Sequence, residues 1–570
     1  MERIRSRDRR AEGAADVGVR RVPRPRPRPP GLPGGIMSRD VIIVGAGGGG
    51  PVVAKELAER GVDVLMLEAG PWLDPDKDFT RLEDDMGSIV DGRLRWGPAD
   101  RTKGPWVRRR DGAGLILQAA GVGGTTLHFN GICPRAYPRS INEAWPLSYA
   151  DLIPHYEQVE DFLPVTMVDD LATKDALFAS GCEGIGLKRS ESRDVSDAVW
   201  RPCHNAILPI ARMKPATALR YPDVEGCTMC GHCLQGCPHP VAAPLEKKAK
   251  RATNVSYVPA AIATGRCEIV PDAFATAVMF EATANGRGSR ARGVRWRDTA
   301  TGEVREEEAR AVVLAGGSIE SPRLWLNSGL PNAHDVVGRY LSMHLQDFVT
   351  GFFDREVHPD VGQVTMARAD FPGYGTVWSQ GFGPQSFSIV LGGGTGFWDE
   401  PTNEPWDFAG RAWGPQALRK LREYHRSLTI AISTDDEEIP SNRVMLADDW
   451  GPDEHGAVPK VVYHPTPTSV ERQTWLARKG AEILKAAGAR EAHRTNIHPA
   501  FFTHIMGTMR MGADPATSVV DSGGEAHEVE RLFVGDTSIL PNGLGGPNPT
   551  LTAQAIAART AGEIARRYFA

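Results

Sequence analysis

Four cysteines offer the most specific chemistry in this sequence. Cys227, Cys230, Cys233 and Cys237 stand in GCTMCGHCLQGCPHP with the spacing C-x2-C-x2-C-x3-C-P. That run lets several thiolates converge on one iron–sulfur cluster without closure of a long loop. A zinc knot uses the same four thiolates, with His232 and His239 as competing ligands, and reduced structural thiols are a third reading. A lone run must close on itself or borrow a ligand, because in two-cluster ferredoxins the fourth cysteine serves the other cluster. Cys133, Cys182, Cys203 and Cys267 are scattered, and eight cysteines behind no export signal argue against a disulfide framework.

A second group is GAGGGG, in which Gly45, Gly47 and Gly50 fill the frame G-x-G-x-x-G. One glycine allows a sharp turn, another lets backbone N–H groups approach a pyrophosphate, and a third lets helix and strand pack closely. The positive end of the following helix then meets the phosphate charge. Glu68 lies at the tip of the next strand, where a carboxylate accepts hydrogen bonds from both ribose hydroxyls. A bare glycine frame is weak evidence. Strand, turn, helix, strand and acid in that order indicate dinucleotide binding rather than an ordinary βαβ unit.

Less specific polar groups follow. GVGGTTLHFNG carries Gly123 and Gly124, then Thr125, His128 and Asn130, which on its own reads as a glycine loop on the surface. AGGSIESPRLWLNSG, with Gly316, Gly317 and Ser318, reads as a strand-to-helix turn and a second dinucleotide contact. Near the C-terminus His504 precedes a glycine turn, Asp536 lies just past an apolar strand, and Asn548-Pro549 opens a long helix. Proline fits a first helical turn because its missing N–H has no partner there.

The elements that must position these groups can be read from patterning. Val41–Val44 is uniformly apolar, as a parallel strand buried on both faces must be. Val52–Arg60 reads as a helix ending at Gly61, and Val62–Leu67 as the second strand. Ser148 is the N-cap of a helix with Leu152, Tyr156, Val159 and Leu163 at helical spacing. Two strands are expected between Arg266 and Gly293, with a hairpin at ANGRGSRARG, and buried strands at Ala311–Leu314 and Leu532–Val534. From Leu345 to Pro499 the alternating runs FVTGFF, FSIVLGG and SLTIAIS predict a mostly antiparallel sheet, ending in a helix over Ser469–Ala487.

The expected class is therefore α/β: a Rossmann-like dinucleotide-binding domain plus a substrate domain with a mostly antiparallel sheet. The first comprises residues 37–150, 225–344 and 495–570, and the second residues 151–224 and 345–494. At 570 residues the chain is too long for one core. A net charge of -5 gives no reason to expect nucleic acid, and no stretch has the apolar length of a transmembrane helix. Residues 1–36 are rich in Arg and Pro with little to bury, so they read as disordered, and Met37 is a candidate true start. The missing apolar h-region argues against a secretory signal and for a cytoplasmic protein.

Taken together, GAGGGG with Glu68, GVGGTTLHFNG, AGGSIESPRLWLNSG and the terminal HIMGTMRMG…VGDTSILP…NPTLTAQAIA resemble the glucose–methanol–choline (GMC) family of flavin oxidoreductases. The resemblance extends from about Ser38 to the C-terminus, and WPLSYADLIPHYEQVE looks most like the sugar and polyol branch of pyranose oxidases and gluconate-type dehydrogenases. It implies FAD at Gly45, Gly47, Gly50 and Glu68, with Gly123, Gly124, Thr125, His128, Asn130, Asp536 and Pro549 also lining the cofactor site. It implies His504 as the active-site base, and Asn548 as a hydrogen-bond donor to the substrate oxygen. Asp536 falls where the family meets the FAD ribityl and pyrophosphate, and His128 where some members bond covalently to flavin. Some sugar dehydrogenases of the family carry iron–sulfur ligands in the region of the four cysteines, here a 4Fe-4S or 3Fe-4S cluster.

The expected reaction is hydride transfer from an alcohol carbon of a sugar, glycoside, polyol or other alcohol to FAD. A cluster would favour a protein or quinone electron acceptor. The alternatives are a sterol or long-chain alcohol oxidase, a family lyase that cleaves cyanohydrins with an idle flavin, and a subunit whose flavin is structural.

Overall fold

The computed structural model describes residues 39–79, 109–112, 115–116, 118–209, 226–283, 288–393, 406–496 and 501–570. The extension expected to be disordered, residues 1–36, lies outside them. So do Met37 and part of the expected hairpin turn, residues 284–287.

Val41, Ile42 and Ile43 are fully buried and form the centre of a parallel sheet. Their strand, Arg39–Val44, pairs with Val64–Leu67 on one side and with Val304–Leu314 on the other. Cys267–Val270 extends the first edge and Leu532–Val534 the second, so strands from the two ends of the chain share one sheet. Both faces of such a sheet must be covered. The helices Gly50–Glu59, Tyr149–Phe162 and Thr550–Tyr568 pack on one another over it. The middle one begins with the expected cap, in which the Ser148 hydroxyl and the Asp151 carboxylate form a reciprocal capping box.

Where two strands were expected between Arg266 and Gly293, the chain forms three. Cys267–Val270 stays in the parallel sheet, whereas Ala273–Ala282 and Ser289–Asp298 pair as an antiparallel hairpin that continues the far end of Val304–Leu314. The departure is made at Asp272, whose φ of 56° turns the chain out of the sheet.

The second sheet takes strands 188–189 and 199–202 together with 346–352, 367–371, 375–380, 408–409, 427–434 and 491–494. It is antiparallel except for one parallel pair at each edge. FVTGFF and SLTIAIS are strands of this sheet, but FSIVLGG is not. It lies in the helix Pro384–Gly392, with Phe387, Val390 and Leu391 buried on one face at helical spacing. Pro384, with no N–H to satisfy, starts that helix. The helix expected over Ser469–Ala487 spans Pro467–Ala486, capped by Thr466. Among the described residues no helix is long and apolar enough to cross a membrane.

Candidate active site

A cavity of about 470 Å³ runs between the two sheets. Its walls come from the glycine turn after Val44, the loop from Gln118 to Ile132, the turn at Gly316–Ser318, and both histidine- and asparagine-bearing segments of the C-terminal region. Phe274 and His455 stack in its wall with ring centroids 4.0 Å apart. Phe348, Trp378, Phe382 and His504 also line it, with the Trp378 and His504 ring centroids 6.4 Å apart.

The glycine turn is shaped by what it must approach. A Cβ on Gly45 would lie 2.3 Å from the Ala315 carbonyl oxygen, and one on Gly49 would lie 1.9 Å from that of Gly535. Gly45, Gly47, Gly48 and Gly49 all border the cavity. The Gly50–Glu59 helix has no side-chain cap at Gly49, Pro51 has no N–H, and Val52 and Val53 donate theirs to the Gly49 carbonyl (2.9 and 3.2 Å), so an anion here would meet the N–H groups of the glycine turn itself. Gly50 packs inside, against the Gly45 carbonyl, and supplies close contact rather than a ligand surface.

Glu68 is placed at the turn as expected, but its carboxylate faces the protein. It accepts backbone hydrogen bonds from Ala46 (2.8 Å), Gly70 (2.8 Å) and Gly121 (3.0 Å). Burial raises its pKa to about 7 against the pull of those three N–H groups. Three of roughly four acceptor positions on the carboxylate are thus committed, and one remains for a ribose hydroxyl. Asp536 behaves in the same way. Its two oxygens accept from Gly317 N–H (2.8 Å), the Ser321 hydroxyl (2.6 Å) and Ser538 N–H (2.8 Å), joining the second glycine turn to the C-terminal strand.

Gly123 and Gly124 lie against the first turn. Gly123 N–H donates to the Ala46 carbonyl at 2.8 Å, and a Cβ on Gly124 would be 2.6 Å from the Gly47 Cα. Thr125 is exposed to the cavity. The neighbouring Thr126 and the unanticipated Thr253 close the contact, the Thr253 hydroxyl donating to the Gly47 carbonyl at 2.9 Å.

His504 reaches the cavity from a residue with φ of 54°. Its Nδ1 is 2.9 Å from Nδ1 of His344, whose Nε2 is 2.8 Å from the Gly543 carbonyl oxygen. The chain of bonds fixes the tautomers. A carbonyl only accepts, so His344 carries its proton on Nε2 and offers a lone pair at Nδ1. His504 must then donate from Nδ1, which leaves its Nε2 with a free lone pair. Burial, and secondarily His344, hold the His504 pKa well below the usual 6.5, so the ring is neutral. His344 itself is pushed down to about 4 by burial. Sequence reasoning missed His344, which no motif marks.

Asn548 borders the cavity in an orientation opposite to the one expected. Its amide nitrogen donates to the Ile132 carbonyl at 3.1 Å, leaving Oδ1 buried without a partner. It therefore offers an acceptor where a donor was expected. Pro549, also a wall residue, is the N-cap of Thr550–Tyr568 rather than its first helical residue. His128 donates from Nδ1 to the Leu234 carbonyl at 2.6 Å, which leaves a buried, unpartnered Nε2 with a lone pair. Asn130 donates to Thr365 (3.1 Å) and Gln380 (3.0 Å).

Cys227, Cys230, Cys233 and Cys237 line one small cavity of about 10 Å³ together with His232 and His239, and all are unpaired thiols. Burial raises Cys227 and Cys230, and takes Cys233 up to about 12. Buried Lys250 joins this loop to the first cavity, donating to the Leu127 carbonyl (2.7 Å), the Phe129 carbonyl (3.1 Å) and the Cys233 carbonyl.

A parallel sheet whose glycine turns border a cavity with a neutral imidazole in its wall fits a dinucleotide-dependent oxidoreductase. Comparison with known proteins specifies the kind. Two family models described as GMC oxidoreductase match residues 211–346 and 440–557, and one described as FAD binding domain matches residues 38–76. The chain belongs to the GMC oxidoreductase family and is an FAD-dependent oxidoreductase. The 2-methyl-1,2-propanediol dehydrogenase of Mycolicibacterium austroafricanum is 26% identical, covering 93% of this chain and 95% of its own. The 6'''-hydroxyparomomycin C oxidase of Streptomyces lividus is 28% identical, covering 92% and 91%. In fold the chain resembles pyridoxine 4-oxidase from Mesorbium loti, with a TM-score of 0.60, 17% identity and coverage of 92% and 99%. It likewise resembles Aspergillus oryzae RIB40 formate oxidase, with a TM-score of 0.62, 14% identity and coverage of 93% and 98%.

Proposed function

We propose that His504 is the base of this oxidoreductase, taking the hydroxyl proton of an alcohol held beside Trp378 in the cavity. The supporting observation is the His504–His344–Gly543 relay, which leaves His504 Nε2 unprotonated. FAD, when bound, would supply the acceptor for the hydride of the alcohol carbon. The glycine turns and the uncapped start of the helix Thr550–Tyr568 would hold its anionic and polar groups, and Asn548 Oδ1 would accept from an N–H or O–H of cofactor or substrate. His128 Nε2, a free lone pair in the cavity wall, suits covalent attachment to the flavin, which acid precipitation of the coloured protein would reveal. Residues 37–150, 225–344 and 495–570 serve the cofactor, and 151–224 with 345–494 the substrate.

His504→Ala should slow flavin reduction by substrate about 10²–10⁴-fold in anaerobic stopped flow, with FAD still bound. An unchanged rate would remove the base assignment. Anaerobic bleaching of the flavin by alcohols separates this reading from an idle-flavin lyase.

Polyols and sugar derivatives are the proposed substrates, on the strength of the diol dehydrogenase and aminoglycoside oxidase relatives. A second reading, an apolar alcohol, is favoured by Phe348, Trp378 and Phe382, which line the cavity with the base. Gln380 there is already engaged by Asn130, Thr365 and Trp378. Matched turnover assays on polyols and long-chain alcohols decide between them.

At the four cysteines the spacing supports a 4Fe-4S or 3Fe-4S cluster passing electrons to a protein or quinone acceptor. Zinc is the second reading, because about 10 Å³ suits a single ion. Iron, sulfide and zinc analysis of the anaerobically purified protein tests both. Eight unpaired cysteines support a cytoplasmic setting.

A further inference from the structure

Outside both cavities, His358, Asp360 and His425 each direct one ligand atom to a common point, all three atoms lying within 4.8 Å of one another. Nδ1 of His425 is 4.0 Å from Oδ1 of Asp360, and the two imidazole centroids are 5.6 Å apart. The backbone brings them together in advance. Val357 and His358 both donate N–H bonds to the His425 carbonyl, at 2.7 and 2.9 Å, and Val361 N–H donates to the His358 carbonyl at 3.1 Å. His358 is held at φ of 55°, in the left-handed region. Asp360 Oδ1, on a side chain that is 36% exposed, is itself covered and makes no hydrogen bond, so its lone pairs are available to a cation. His425 is 57% exposed, so the point is open to solvent.

We propose that His358, Asp360 and His425 bind one divalent transition-metal ion of the zinc type, through two imidazole nitrogens and one carboxylate oxygen, with the remaining position left to water. Two nitrogens and one hard oxygen suit zinc, nickel or copper and disfavour calcium and magnesium. Metal–ligand bonds of about 2.0–2.1 Å require the three atoms to close by roughly 1 Å, which side-chain rotation supplies. The ion would brace residues 357–362, the segment against which the cysteine loop rests. Gly362 N–H donates to the Met229 carbonyl at 3.0 Å, and a Cβ on Gly231 would lie 2.2 Å from the Asp360 carbonyl oxygen.

The test is calorimetric titration of the full flavoprotein with zinc, followed by zinc-edge X-ray absorption of the loaded protein. His425→Ala and His358→Asn are compared with the unaltered chain, asparagine being chosen because it accepts a left-handed backbone. The expected result is a site with nitrogen and oxygen at about 2.0–2.1 Å that weakens at least tenfold in each variant, while any sulfur-coordinated zinc is untouched. Zinc should also raise the melting temperature of the unaltered chain more than that of either variant. Equal binding by all three proteins would overturn the proposal, as would a shell of sulfur alone at about 2.3 Å or no zinc bound.

Discussion

His344 does for His504 what no other described side chain does: it accepts the Nδ1 proton and so dictates which nitrogen is free. Glutamine at that position retains both capacities, an acceptor oxygen toward His504 and a donor nitrogen toward Gly543. Leucine retains neither. His344→Gln should therefore reduce flavin close to the normal rate, whereas His344→Leu should fall at least about tenfold, because His504 can then protonate Nε2 and cease to be a base. Equal rates in the two variants would show that the relay does not act on the base. The acid limb of the pH profile follows from the same burial. An ordinary imidazole is half protonated at 6.5, but His504 lies well below that value. The substrate-reduction rate should stay level as pH falls through 6.5 and decline only at distinctly lower pH, and a midpoint at 6.5 would contradict the buried geometry. The imidazole's identity was legible in its sequence neighbours, but its partner was not, because His344 is 160 residues away and follows only an ordinary structural run. Glu68 and Asp536 show the same limit. Their positions were readable, yet their bonds go to backbone groups such as Gly121 and Gly317, brought in from 53 and 219 residues away.

At the scale of elements, Lys250 joins the loop that carries His128 to the loop that carries the cysteines. Three carbonyl oxygens depend on its ammonium, and burial lowers its pKa to about 8, so the charge is kept at a cost. Lys250→Met fills the space but deserts those acceptors. It should lower unfolding stability by about 1–3 kcal/mol, measured as a shift of the urea midpoint. If the two loops were independently stable, no shift would appear. The regular elements were the most legible part of the chain: the first strand, the turn, the capped helix after Ser148 and the C-terminal helix all follow local rules of burial and capping. FSIVLGG was misread because a short apolar run fits a buried strand and a buried helix equally well. Pro384 and the spacing of Phe387, Val390 and Leu391 decide it, and both features are visible only when the run is extended backward.

Across the whole molecule, the sheet that carries the first glycine turn is completed by Leu532–Val534, and the cavity walls come from segments near residues 45, 125, 317, 504 and 548. No contiguous stretch could retain such a site after the rest had unfolded. The N-terminal turn meets the C-terminal segment directly, at the contact where a Cβ on Gly49 would strike the Gly535 carbonyl. A cofactor filling this cavity binds only the folded state, and added FAD at a hundred times its dissociation constant contributes about 2.7 kcal/mol to folding. Release of flavin on heating, followed by its rise in fluorescence, should coincide with loss of far-ultraviolet circular dichroism in one transition, and that transition should move upward with added FAD. Flavin that leaves well before the backbone signal changes would mean that the cavity opens by itself, and that the two ends of the chain do not jointly close it.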